Sequence, residues 1–406
     1  MTGPGARPAA AEKLRLTLSE LLAAELPAAA ALRRDLHRNP DLSGAEAATA
    51  AAVAAALGSP GAPAVADTGR LIRIGPPDGP CIAVRAELDG LPVPEQTGAE
   101  FASANGAMHA CGHDVHLAAL TALGRAACQA DLPVAMLAVL QPREEAAPSG
   151  ALDIATSASF AAHQPAAVIG VHLQHALPAG TVSASAGVIN AATDDFEIIV
   201  TGRGGHAGYP QLAADPVLAL CQSVVTLQQL ISRRIDPTHA AVISVGRLQA
   251  GHAPNVIPAS ATASGTIRTL DQQDRLFLRT AIGETVAATC RAHGCEGVVT
   301  VTPAEPALMN DALLAAACQP LLRQAGFAVE TDFRSCGADD FAYYGAASGP
   351  GAGVPSVMLF AGSGTEVALH HAEFLPADEA IGDVAAAMLA GYLAALELIP
   401  APSRRP

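Results

Sequence analysis

The chain has 406 residues, half of them apolar but only 3% aromatic and none tryptophan, so its core must be built from Ala, Leu, Val and Ile. That length exceeds one ordinary core and implies two domains, one of them large. A net charge of −15, with 23 Lys plus Arg against 38 Asp plus Glu and no basic cluster or interleaved aromatic platform, excludes nucleic acid as a partner.

Residues 10–58 read as helices. Glu20 and Glu25 leave no uninterrupted apolar segment that would make a secretory signal. Ser43-Gly44-Ala45-Glu46 has the spacing of a helix start leading into an Ala-rich stretch. Strands and helices then alternate: a strand over Cys81–Leu88, a helix over His113–Gln129, and strands over Val134–Leu140 and Ala166–Leu173. Continuous apolar strands separated by helices imply a sheet covered on both faces. The uncharged stretch 164–193 is broken by Pro165, Pro178, Gly180 and Gly187, and reads as strands rather than a membrane span.

Near residue 190 the pattern changes. Asp195-Phe-Glu-Ile-Ile-Val-Thr-Gly alternates in polarity and is followed by a Gly-rich turn, a helix over 215–235 and strands over Ala241–Leu248 and Ala259–Arg268. A helix over 272–293 and a strand over 297–303 complete a small α+β sandwich inserted into the larger domain. The α/β pattern then resumes with a helix over 311–325, a strand over Ser356–Phe360 and a closing helix over 378–397. The expected fold class is therefore α/β, a large domain with a mixed sheet covered by helices (1–189 and 303–406) plus the inserted α+β sandwich (190–302). Eight cysteines scattered along the chain point to reduced thiols in a cytoplasm.

Metal chemistry is the first function this chain suggests. Met108-His-Ala-Cys-Gly-His-Asp-Val-His places a thiol, three imidazoles and a carboxylate in nine positions. Cys111 and His113, two residues apart on a loop entering a helix, can face one ion, and thiolate with imidazole suits zinc or a related divalent metal. Taken alone, the pair would be a buried cysteine beside a surface histidine. Glu144 and Glu145 end one apolar run, His172 ends another and His370 follows the last, and strand ends are the usual site plan of an open α/β sheet. Neighbouring side chains on extended backbone diverge, so one glutamate can ligate while the other acts as general base. Asp89, also at a strand end, can fix a ligating histidine through its second nitrogen. Thr201-Gly-Arg-Gly-Gly-His resembles a phosphate loop only superficially, because no Lys-Ser/Thr follows.

The motifs Arg85-Ala-Glu-Leu-Asp-Gly-Leu-Pro, Met108-His-Ala-Cys-Gly-His-Asp, Gln141-Pro-Arg-Glu-Glu, Gly170-Val-His-Leu, Gly202-Arg-Gly-Gly-His-Ala-Gly-Tyr-Pro, Asn255-Val-Ile-Pro, Gly265-Thr-Ile-Arg, Ala338-Asp-Asp-Phe and Leu369-His-His run in order across nearly the whole chain. In this the sequence resembles the dinuclear metallo-aminoacylases and metallo-carboxypeptidases, most closely the branch of hippurate hydrolases, auxin-conjugate amidohydrolases and bacterial N-acyl-amino-acid aminoacylases. The resemblance implies two divalent ions bridged by Cys111, one completed by His113 and His172 and the other by Glu145 and His370. Zinc or manganese is expected, with cobalt or nickel also acceptable to such donors. Glu144 would be the general base, and Asp89 would assist it. The inserted domain would serve as a lid that dimerises, with His206 reaching the partner's site and Asn255 and Arg268 holding the substrate's carboxylate or carbonyl.

Four positions depart from that pattern. Glu87 stands where the branch usually has Asp, Arg143 where a small residue is common, Ala146-Ala-Pro-Ser-Gly where the turn is more Gly-rich, and Asp339 in place of a frequent Glu. Pointing inward, Arg143 would lower the pKa of the base and weaken it. The expected activity is hydrolysis of a small-molecule N-acyl amino acid by a cytoplasmic homodimer with no membrane or nucleic-acid partner. The rivals are a peptidase or diaminopimelate-type deacylase on the same scaffold, a hydrolase with Cys111 as nucleophile, and a non-catalytic binding protein.

Overall fold

The continuous apolar runs form the middle of an eight-stranded sheet. In the computed structural model, which describes residues 6–346 and 353–399, Cys81–Glu87, Ala135–Gln141 and Ser356–Gly362 are buried at every position. The strand order is Ala64–Val65, Gly69–Ile74, Ala135–Gln141, Cys81–Glu87, Pro165–Gln174, Ser356–Gly362, Thr181–Ser183, Ala328–Glu330. The four from Ala135–Gln141 to Ser356–Gly362 are mutually parallel, while Gly69–Ile74 and Thr181–Ser183 join them antiparallel. Both faces are covered, which is why these strands show no alternation. Gly391 of the helix Glu379–Leu398 lies against Ile169 on one side, and Phe341 lies against Gly170 on the other. Glu379–Leu398 is long and apolar enough to cross a membrane, yet it is 67% buried here as a core helix. Parallel strands bring their carboxyl ends to one edge, so Glu87, Gln141 and Gln174 finish together there.

The chain divides into two compact units. One holds the described residues up to Gly187, Met309–Phe333 and those from Asp340 on; the other holds Val188–Leu308 and Arg334–Asp339. The sequence boundaries at 190 and 302 are therefore corrected outward, and a short stretch of the third segment belongs to the second unit. Backbone pairing is the cause. Thr193 N–H donates to Glu305 O at 3.0 Å, Ser335 N–H to Ile189 O at 2.9 Å and Ala191 N–H to Gly337 O at 3.0 Å.

The second unit is an antiparallel sheet in the order Ala241–Ala250, Ser260–Thr269, Ala192–Thr201, Glu296–Pro303. One face carries the helices Pro216–Arg234 and Gln272–Ala292, each started by an aspartate, Asp215 or Asp271, whose side chain accepts two backbone N–H groups. Phe196, Ile198 and Val200 pack against Leu220, Leu227, Leu278 and Ile282 from these helices.

One expected start signal is used differently. The helix Ala47–Ala56 follows Glu46, but Ser43 makes no cap; its hydroxyl donates to Asp89 Oδ2 at 2.6 Å. Glu46 is buried and accepts from Gly44 N–H, the Thr68 hydroxyl and Arg143 N–H.

Candidate metal centre and active site

The sheet edge collects the donors. Cys111 and His113 flank Gly112, which has φ +87 and whose added Cβ would sit 2.9 Å from Leu173 Cδ1. Glycine at that position lets the loop turn into the helix His113–Cys128 while passing under the end of Pro165–Gln174. His172 lies on that strand, and Glu144 and Glu145 follow Ala135–Gln141. His370 has φ +67, a left-handed conformation unusual for a non-glycine residue, and its N–H donates to Ala110 O at 2.9 Å.

Cys111, Glu145 and His370 present donor atoms within 4.8 Å of one another, as do His113, Glu144 and Glu145, and again Glu87, His113, His116 and His172. Cys111 Sγ is 3.4 Å from His172 Nε2, and His370 Nε2 is 3.3 Å from Glu145 Oε1. His113 Nε2 lies 3.8 Å from Glu144 Oε2 and 4.0 Å from Glu145 Oε1. The five ligands expected from the sequence and the expected base are thus neighbours in space.

The electrostatics ask for a cation. His113 Nε2 and Glu145 Oε1 are buried without hydrogen-bond partners, which is costly for polar atoms unless something else binds them. Burial works against a charged His113, but Asp89, Glu87 and Glu145 outweigh it and hold its pKa up at about 10. Burial and then the Glu145 and Glu144 carboxylates push the Cys111 thiol well above its usual range. That is the wrong direction for a thiolate nucleophile, and it is resolved if a cation takes the place of the proton. Thiolate, imidazole and carboxylate donors suit zinc and its neighbours, so the residues present fit a divalent metal.

Two surrounding residues bear on the donors. Asp89 meets the second nitrogen of His113 through its backbone: His113 Nδ1 donates to the Asp89 carbonyl at 2.8 Å, while the carboxylate Oδ1 stands off at 3.6 Å, too far for a hydrogen bond. Asp89 Oδ2 accepts the Ser43 hydroxyl and, at 2.9 Å, Glu145 N–H, so it fixes the glutamate turn. Arg143 turns away from the site: its guanidinium donates to Pro148 O at 3.0 Å, Ala66 O at 3.1 Å and Asp67 Oδ2 at 2.7 Å, and it pairs with Asp153.

His206, Asn255 and Arg268 lie in the second unit. The short strands Gly205–His206 and Val256–Ile257 pair His206 with Val256, and Ala207 N–H donates to Asn255 O at 3.1 Å, so His206 and Asn255 are neighbours on an exposed turn. Arg268 is half-buried on Ser260–Thr269, paired with Val242 and Thr193. Sequence reasoning missed Glu87 and His116 as a buried pair at 2.9 Å, and behind them the Arg85, Gln141 and Asp340 network. It also missed Arg33 and His37, one helical turn apart, which both bind Asp114 Oδ2 at 3.0 Å. Charged residues at i and i+4 in a long helix were the available signal.

A model of the peptidase family M20/M25/M40 matches residues 83–395. The chain belongs to that family. With it, the chain is a metal-dependent hydrolase of amide bonds. Among relatives, an N-acetylcysteine deacetylase of Bacillus subtilis is 33% identical over 358 residues, covering 86% of this chain and 92% of its own length. A solved structure from B. subtilis, described as a dinuclear metal binding peptidase of the M20 family, superposes with a TM-score of 0.78 at 29% identity, covering 93% of this chain and 99% of its own. An aminobenzoyl-glutamate utilization protein from Klebsiella pneumoniae, at 19% identity and TM-score 0.66, covers 93% of this chain and 98% of its own and shares the fold.

Proposed function

We propose that this M20-family protein hydrolyses N-acyl amino acids to a carboxylic acid and a free amino acid, using two divalent ions. One ion is assigned to Cys111, His113 and His172, the other to Cys111, Glu145 and His370. The observation that carries the reading is the convergence of these donors around His113 Nε2 and Glu145 Oε1, both buried and without a hydrogen bond. Bound there, the ions would polarise the amide carbonyl, stabilise its developing negative charge and acidify water. Glu144 takes the proton of the attacking water and returns it to the departing amine. Asp89 acts by holding the Glu145 peptide and, through its carbonyl, the His113 ring. His206, Asn255 and Arg268 are assigned to the substrate, and the second unit to a homodimer.

Zinc or manganese fits the donor set best, and cobalt or nickel would also bind. Eight free cysteines suit a reducing cytoplasm. The N-acyl assignment is supported by the relative that deacetylates N-acetylcysteine.

The test is metal content per chain with hydrolysis of N-acetyl, N-benzoyl and longer N-acyl amino acids alongside dipeptides and N-acyl diaminopimelate. Two ions, and N-acyl amino acid hydrolysis lost on chelation and restored by metal, are expected. Turnover confined to dipeptides or to the diaminopimelate derivative would move the substrate elsewhere. Hydrolysis that persists without metal and stops on thiol alkylation would make Cys111 the nucleophile. Inactivity with every ion would leave a binding protein.

A further inference from the structure

The strand Cys81–Glu87 ends in a glutamate, and the helix His113–Cys128 carries a further imidazole, His116, one turn after His113. Glu87 is 1% exposed and His116 0%. Their donor atoms group with those of His113 and His172, so proximity alone would make His116 another nitrogen ligand. Its hydrogen bonds argue against that. The backbone N–H of Leu173 donates to His116 Nε2 at 3.0 Å, and an amide N–H can only donate, so Nε2 holds the lone pair. The ring proton is then on Nδ1, directed at Glu87 Oε2 2.9 Å away. Both ring nitrogens are committed to protein atoms.

The residue held in this way is the one His172 uses, through the peptide unit on the other side of its Cα. His172 Nδ1 donates to the Leu173 carbonyl at 2.6 Å, which keeps the proton on Nδ1 and turns the Nε2 lone pair toward Cys111 Sγ. The two rings meet edge to face, with centroids 4.7 Å apart. Glu87 is braced in turn by Arg85, which also binds Asp340 at 2.9 Å.

We propose that Glu87 and His116 form a positioning pair that sets the tautomer and ring direction of His172 by fixing the backbone of Leu173, whose N–H His116 holds and whose carbonyl His172 uses, and that His116 is not a metal ligand. The proposal rests on the two-ion reading given above. It also gives a use to Glu87, whose longer side chain replaces the aspartate usual in the resembled branch.

The experiment strips the full-length protein of metal and reloads it with Co2+. It reads ion content, affinity by competition with a chelating dye, and the visible absorption of Co2+, followed by kcat and KM. His116→Gln keeps an acceptor within reach of Leu173 N–H. His116→Asn keeps a donor toward Glu87 but withdraws that acceptor. Glu87→Gln removes the charge at nearly constant volume, so it carries the comparison if His116→Asn fails to fold. His172→Ala shows what loss of a ligand looks like.

His116→Asn and Glu87→Gln are expected to take up both ions at saturation but to hold one roughly 10- to 100-fold more weakly, with an altered Co2+ spectrum and a lower kcat at similar KM. His116→Gln should restore affinity and spectrum. Loss of a whole ion from both His116 variants, as in His172→Ala, would make His116 a ligand and overturn the proposal. Spectra and affinities unchanged in Glu87→Gln and His116→Asn would reduce the pair to packing and overturn it equally. An unaltered protein that binds no ion would overturn the two-ion reading and the pair with it, a result distinct from either.

Discussion

In the large unit Cys81–Glu87 is buried at all seven positions, whereas in the second unit Ala192–Thr201 alternates from Asp194 on, with Asp195, Glu197, Ile199 and Thr201 exposed. Glu87 and Glu197 are thus the same residue type on strands of opposite character. A charge on a strand covered on both faces must have partners, and those of Glu87 are Arg85 and His116. On a one-sided sheet a charge merely marks the wet face. The contrast explains why functional groups of the large unit stand out against an apolar background, while in the second unit His206 and Asn255 sit among many exposed polar residues.

The contrast is sharpest in stability. Glu87→Ala leaves Arg85 and His116 buried without that carboxylate and should cost on the order of 3–5 kcal/mol, whereas Glu197→Ala should stay within about 0.5 kcal/mol. Calorimetric unfolding of both variants would break the comparison if the two costs were alike. Next in size come adjacent apolar pairs. Met136→Ala and Leu137→Ala, on neighbouring positions of a strand buried on both faces, should each cost about 2–5 kcal/mol. Of Ile198 and Ile199 only the first, 0% exposed against 45%, should do so. Equal penalties for Ile198→Ala and Ile199→Ala would mean that the outer face of the second sheet is covered in solution.

The smallest effect is a pH dependence. Burial disfavours a charged His37, but Asp114 and Glu95 outweigh it and raise its pKa. Its contribution to stability is therefore complete below the unfolded value of about 6.5 and is lost as pH rises through the higher folded value. Melting temperatures followed from pH 6 upward should fall less steeply in His37→Gln than in the unaltered protein. A parallel decline would remove His37 from the charged network around Arg33 and Asp114.

Most of the architecture was legible in the sequence because continuous apolar runs and alternating ones are local signals. Gly69–Ile74 escaped because Arg70 and Arg73 flank Leu71 and Ile72 and cut the apolar run to two residues. Those guanidinium groups curl back onto carbonyls, Arg73 reaching Pro76 O and Gly79 O at 2.7 Å. The candidate donors were visible as unusual residues at strand ends. Their supports were not, since His116 finds Glu87 and Leu173 at 29 and 57 residues' separation and no spacing rule connects them. Arg143 shows the same limit: nothing in its neighbours along the chain announces that Ala66 and Asp67 will turn it outward.

The place of Ser356–Gly362 in the sheet also bears on biosynthesis. It lies between Pro165–Gln174 and Thr181–Ser183, so the strand carrying His172, already able to pair with Cys81–Glu87 on one side, emerges from the ribosome long before its parallel neighbour on the other side exists. At about 5–20 residues per second the wait is about 10–40 s, during which an apolar strand presents an open edge of the kind that recruits other chains. Nascent chains stalled before residue 356 should therefore be the aggregation-prone form of this protein and the one that most engages chaperones.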